Sequence, residues 1–82
     1  MRLPMKYAEK MIAFGLNVAY YRKKQLMTQE QLAEKIHLSI GTIRRIENPN
    51  IYAGTTLETI CRLADALHVT ESALLDFREQ KD

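Results

Sequence analysis

The sequence predicts an all-α fold, a single compact domain of five short helices spanning residues 1–82. Three observations carry this. Apolar residues recur at steps of three and four, and no stretch alternates with the period of two that a strand requires. Polar residues able to cap helix starts, Thr28, Ser39 and Thr70, stand just before those periodic segments. A chain of 82 residues with one cysteine has a single small core and no intramolecular disulfide.

The first helix is expected from Met5 to Lys24, after a loose start at residues 1–4. Met11, Phe14, Val18 and Tyr21 form its apolar stripe. Gly15 interrupts it at about 1 kcal/mol relative to Ala, and marks either a close packing contact or a weak spot. Arg22, Lys23 and Lys24 close the helix, where positive charge complements the macrodipole. Gln25 and Leu26 turn the chain, and Met27 serves as an apolar staple ahead of the Thr28 cap.

Thr28-Gln29-Glu30-Gln31 fits a capping box and opens the second helix. Leu32, Ala33 and Ile36 face inward; Glu30, Gln31, Glu34 and Lys35 face out. His37 and Leu38 form a tight turn. The third helix runs from Ser39 to Glu47 with Ile43 and Ile46 inward. Two helices joined this closely cross steeply, as in a helix-turn-helix unit.

Asn48 to Thr55 is the one substantial loop, and Thr55 with Glu58 reads as another capping box. The fourth helix, Thr56 to Leu67, is expected to bury Leu57, Ile60, Cys61, Ala64 and Leu67. His68 makes a turn. Thr70 caps a fifth helix, Glu71 to Phe77, with Leu74 and Leu75 apolar, before a loose charged tail from Arg78.

The net charge of +2 is unevenly placed. Residues 1–24 carry six Lys or Arg and one Glu, whereas residues 25–82 carry six Lys or Arg and nine acidic residues. A basic N-terminal segment suits an anionic partner; each single lysine also reads as a solvated helix face. The longest apolar run, Met11 to Leu16, is too short to span a membrane, and Pro4, Glu9 and Lys10 speak against a signal peptide. A reducing cytoplasm is the expected setting. His37 and His68 lack the companions of a metal site, and Cys61 sits on an apolar stripe with no base beside it. No metal, cofactor or catalytic constellation is expected, so an enzyme is disfavoured.

Arg22, the segment MTQEQLA at 27–33, SIGTIRRIEN at 39–48 and LETICRLADALHVTESALL at 57–75 together resemble the phage-repressor (Cro/XRE-type) helix-turn-helix family. The match covers nearly the whole chain and lies in the joint order and spacing of these segments. The resemblance implies a five-helix repressor-like domain whose third helix enters the major groove of double-stranded DNA. It places Gln29 and Asn48 at phosphate positions. Ser39 is first an N-cap, and its hydroxyl with the free N–H groups of the helix start also suits a phosphate; Arg22, Lys23 and Lys24 suit flanking phosphates by charge, Lys23 and Lys24 reading equally as a solvated face. The resemblance places Ile40, Gly41, Thr42, Arg44 and Arg45 on the exposed face of the reading helix. Arg22 and Glu47 match a pair that forms a buried ion pair in several relatives.

Chemistry ranks these candidates. The Arg45 guanidinium can bond a guanine edge through two parallel hydrogen bonds. Arg44 points about 100° away, so the two cannot both read bases equally, and Arg44 reads as well as a phosphate contact or a plain surface residue. Thr42 and Ile40 suit base edges, Ile40 through a thymine methyl or else as ordinary packing. The chain departs from its relatives at His37 and His68, where the family has Gly. It departs also in the loop after Asn48, which carries Pro49, Ile51 and Tyr52 instead of Gly and basic residues, and at Gly41, which has no side chain to read a base. The implied function is sequence-specific DNA binding by a transcriptional regulator. A homodimer would hold a two-fold site with reading helices about 34–36 Å apart. Met5, Tyr7, Met11, Leu75 and Phe77 are the candidates for joining the two copies. The alternative is a protein-interaction module on the same fold.

Overall fold

The computed structural model describes residues 4–78 and contains α1 (Met5–Lys24), α2 (Gln29–Ile36), α3 (Ile40–Glu47), α4 (Leu57–Leu67) and α5 (Glu71–Leu74). No strand occurs among the described residues. The chain ends expected to be loose lie, apart from Pro4 and Arg78, outside them.

Local chemistry starts most of these helices. Thr28 accepts from the Gln31 backbone N–H at 3.0 Å, and the Gln31 side chain accepts from the Thr28 N–H at 2.8 Å, completing the capping box. The Ser39 and Thr70 hydroxyls accept from the N–H groups of Thr42 and Ala73. In α4 the cap is Thr56, which accepts from Thr59 at 3.1 Å, and not the expected Thr55. Leu57 therefore occupies the first helical position, beyond the edge of the core, and is 73% exposed instead of buried. Leu63, which the expected stripe omits, is fully buried, while Ile60 and Cys61 are half-buried.

Three helix ends share one stop. Leu26, His37 and His68 all adopt left-handed φ values, 57°, 60° and 58°. In each case the next residue's N–H reaches back to a carbonyl five positions earlier: Met27 to Arg22, Leu38 to Ala33, Val69 to Ala64. This is the Schellman closure, built here without glycine.

The core gathers Phe14 and Val18 from α1, Leu32 and Ile36 from α2, Ile43 and Ile46 from α3, Leu63 and Leu67 from α4, and Leu74 from α5. Each such side chain contributes about 1.5–3 kcal/mol on burial. α3 packs against both α1 and α2. Gly15 explains the closeness of the first contact: a Cβ there would sit 1.8 Å from the Ile46 carbonyl oxygen. Of the two readings of this glycine, close packing is the one the structure supports.

α5 ends at Leu74, not at Phe77. Asn17, buried on α1, donates from Nδ2 to the Leu74 and Asp76 carbonyls at 3.0 and 2.9 Å. Those carbonyls are satisfied by α1 and leave the helical path, so Leu75 and Phe77 are exposed.

Candidate nucleic-acid interface

The α2–turn–α3 unit owes its orientation to a buried ion pair. Arg22 donates from Nε to Glu47 Oε2 at 2.7 Å and from Nη2 to Oε1 at 2.9 Å. The side chains are 10% and 4% exposed. Arg22 Nη1 donates to the Met27 carbonyl at 2.7 Å, so the arginine also ties α1 to the entry of α2. Gln29 Nε2 donates to Glu47 Oε1 at 2.9 Å. One carboxylate thus collects α1, α2 and its own helix, α3, and no buried side-chain polar atom among the described residues is left without a partner.

This arrangement revises two expected phosphate positions. Arg22 is buried and its guanidinium is committed on three sides, so it is not presented to an outside anion. Gln29 is half-buried with its amide turned toward Glu47, which leaves only part of its donor capacity for a partner.

The paired Arg22 and Glu47 side chains line an open depression of about 480 Å³ together with Leu16, Lys23, Gln29, Arg44, Asn48 and Pro49, among others. Lys23, Gln29 and Asn48, three expected phosphate positions, are brought together here. Arg44, for which base reading and a phosphate contact both stood open, joins them. Asn48 is half-buried and its Oδ1 accepts from the Asn50 N–H at 2.9 Å, which holds the side chain in a turn. Leu16 and Pro49 escaped the sequence reading. Leu16 stands seven residues before Lys23, two turns along one face of α1, and that spacing is a signal for it.

Arg45 is exposed and stands outside this depression. Gly41 is exposed as well. The Ser39 and Thr42 hydroxyls bond each other at 2.9 Å, so both stay close to the helix start. Ile40 is half-buried and packs against the core, which favours packing over a free thymine contact.

Two other features lie apart from this face. An apolar groove of about 270 Å³ is lined by Lys10, Met11, Phe14, Ile60, Leu75 and Phe77, among others. Cys61 is half-buried, and desolvation together with the nearby Glu71 carboxylate pushes its thiol above the ordinary value. It therefore stays a thiol near neutral pH and is a poor nucleophile.

No helix among the described residues is long and apolar enough to cross a membrane. No curated protein matches the chain. A helix-turn-helix family model matches residues 18–74, which takes in the end of α1, the α2–turn–α3 unit, α4 and α5. With that match over most of its length, the chain belongs to the Cro/C1-type (XRE) helix-turn-helix family, a family of DNA-binding domains.

Proposed function

We propose that the protein is a sequence-specific double-stranded DNA-binding regulator of transcription that reads the major groove with α3. The supporting observation is the way α3 divides its two arginines. Arg44 lines the depression with Lys23, Gln29 and Asn48, donors suited to phosphate oxygens, while the Glu47 carboxylate that also lines it is paired with Arg22. Arg45, outside that depression, is free to address base edges with its planar fork of donors. Ser39 and Thr42 frame the helix start and Glu47 holds α3 in place without touching DNA.

A homodimer on a two-fold site fits this reading. Met11, Leu75 and Phe77 come from opposite ends of the sequence yet line one groove, and Met5 and Tyr7 are exposed nearby along α1. The same groove favours a second reading, a protein-interaction module that works through a partner protein.

Selection of bound duplexes from a random DNA pool at two salt concentrations tests the proposal. The expected result is a preferred site, affinity that falls as salt rises, and loss of preference at one base pair in Arg45→Ala. Selection of no preferred site, with Arg45→Ala unchanged, rejects it. Binding to a protein partner that ignores salt favours the second reading.

A further inference from the structure

We propose that Arg62 is a positioning residue for DNA binding: from α4 it holds the last carbonyl of α2 and thereby fixes the turn that aims α3. The inference rests on the DNA reading of α3.

The turn from α2 into α3 is closed mostly by its own backbone. The His37 N–H reaches the Glu34 carbonyl and the Leu38 N–H reaches the Ala33 carbonyl. The Ile36 carbonyl, at the last helical position and just before the left-handed His37, receives no backbone N–H. It accepts instead from Arg62 Nη1 at 2.9 Å, 26 positions away. Arg62 Nη2 is paired with Glu58, one turn earlier on α4, which orients the guanidinium. The same device recurs before the left-handed His68, where Gln25 Nε2 donates to the Leu67 carbonyl at 3.2 Å.

Arg62 stands apart from the phosphate donors. It lines a different hollow, of about 320 Å³, with Lys35, Ile36, His37, Asp65 and Ala66, none of which lines the depression beside Arg22 and Glu47. Its influence on DNA therefore runs through the turn. The Arg22–Glu47 pair holds the far end of α3. An eight-residue helix is about 12 Å long, so a pivot of about 5° at Glu47 carries its start about 1 Å. A shift of that size breaks a hydrogen bond at the start of the helix. Arg62 ties the near end to α4, which packs on α2. Ile36 lines the same open hollow, so water can take its carbonyl when Arg62 is removed, and stability falls little.

The test uses the duplex that the wild-type protein selects from a random pool, well below every melting temperature. It compares Arg62→Met, which keeps the apolar stem, with Glu58→Gln, Arg62→Met/His37→Gly and Arg62→Met/Leu26→Gly. Arg62→Met is expected to melt about 4–8 °C lower, the loss of one hydrogen bond in a domain of this size. Its affinity is expected to fall about five- to tenfold with an unchanged salt slope, because no phosphate contact is lost. Glu58→Gln is expected to lose less. His37→Gly is expected to restore affinity, since glycine holds a left-handed stop without strain. Leu26→Gly, the same relief at the end of α1, is expected to restore stability alone. In Arg62→Met, amide exchange is expected to quicken at Leu38 and not at Met27, whose N–H closes the same kind of stop. Arg62→Met binding within about twofold of wild type overturns the inference. A reduced salt slope also overturns it, because Arg62 then meets a phosphate itself, and so does equal rescue by Leu26→Gly, because the effect is then one of stability. Should Arg62→Met fail to fold, Glu58→Gln with wild-type affinity overturns it. A wild-type protein that selects no duplex overturns the DNA reading itself, and this inference with it; a selective wild type with an unaffected Arg62→Met overturns this inference alone.

Discussion

Arg22 and Glu47, 25 positions apart, are joined by two parallel hydrogen bonds that clamp the end of α1 to the end of α3. The clamp sets the pose of the reading helix, because Glu47 also receives the Gln29 amide from the first turn of α2. Truncating one partner leaves a buried charge without compensation. Arg22→Met is expected to lose about 3–5 kcal/mol in urea unfolding. Replacing both, as Arg22→Met/Glu47→Leu, is expected to recover much of that loss. An Arg22→Met protein as stable as wild type rules out the clamp as a structural tie.

Gly15 and Gly41 predict opposite responses to the same change. Gly15→Ala drives a Cβ into the Ile46 carbonyl and must part α1 from α3. It is expected to cost about 3 kcal/mol by overpacking. Gly41→Ala meets open space and is expected to gain about 0.5–1 kcal/mol. Thermal melting of the two variants side by side checks the pair; equal shifts contradict the packing described for α1 and α3.

The three left-handed helix stops offer stabilising substitutions. Leu26 combines φ 57° with 91% exposure, so it bears backbone strain without burial. Leu26→Gly and His68→Gly are each expected to raise stability by about 1 kcal/mol, as the steric penalty of the left-handed region is removed. Calorimetry reads this as a higher Tm; a lower Tm in both places the strain elsewhere.

Lys23 and Arg44 are expected to act through phosphates and Arg45 through a base. Lys23→Ala and Arg44→Ala should weaken all duplexes alike and each reduce the salt slope by about 1. Arg45→Ala should cost about 1–3 kcal/mol on the preferred duplex and far less on others. Fluorescence anisotropy across a salt series separates the two patterns. An Arg44→Ala variant that changes sequence preference reverses the assignment.

Much of this protein was legible in its sequence because much of it is local. The capping box at Thr28, the caps at Ser39 and Thr70, and the apolar faces of α2 and α3 depend on residues three or four positions apart, which periodicity exposes. Contacts between residues far apart in sequence were legible only where the family resemblance implied them, as it did for the buried Arg22–Glu47 pair. The inward turn of Gln29 toward Glu47 escaped. The early end of α5 depends on Asn17, 57 positions before Leu74. The exposure of Leu57 depends on where the core stops, which no helical period encodes. The sequence by itself determined the helices, their order and the family face of α3, since these follow from short-range capping and amphipathicity. Only the tertiary structure decided that Gly15 serves packing while Gly41 is left open, and that Arg44 shares a depression with Lys23, Gln29 and Asn48, because both depend on atoms brought near by the folded chain.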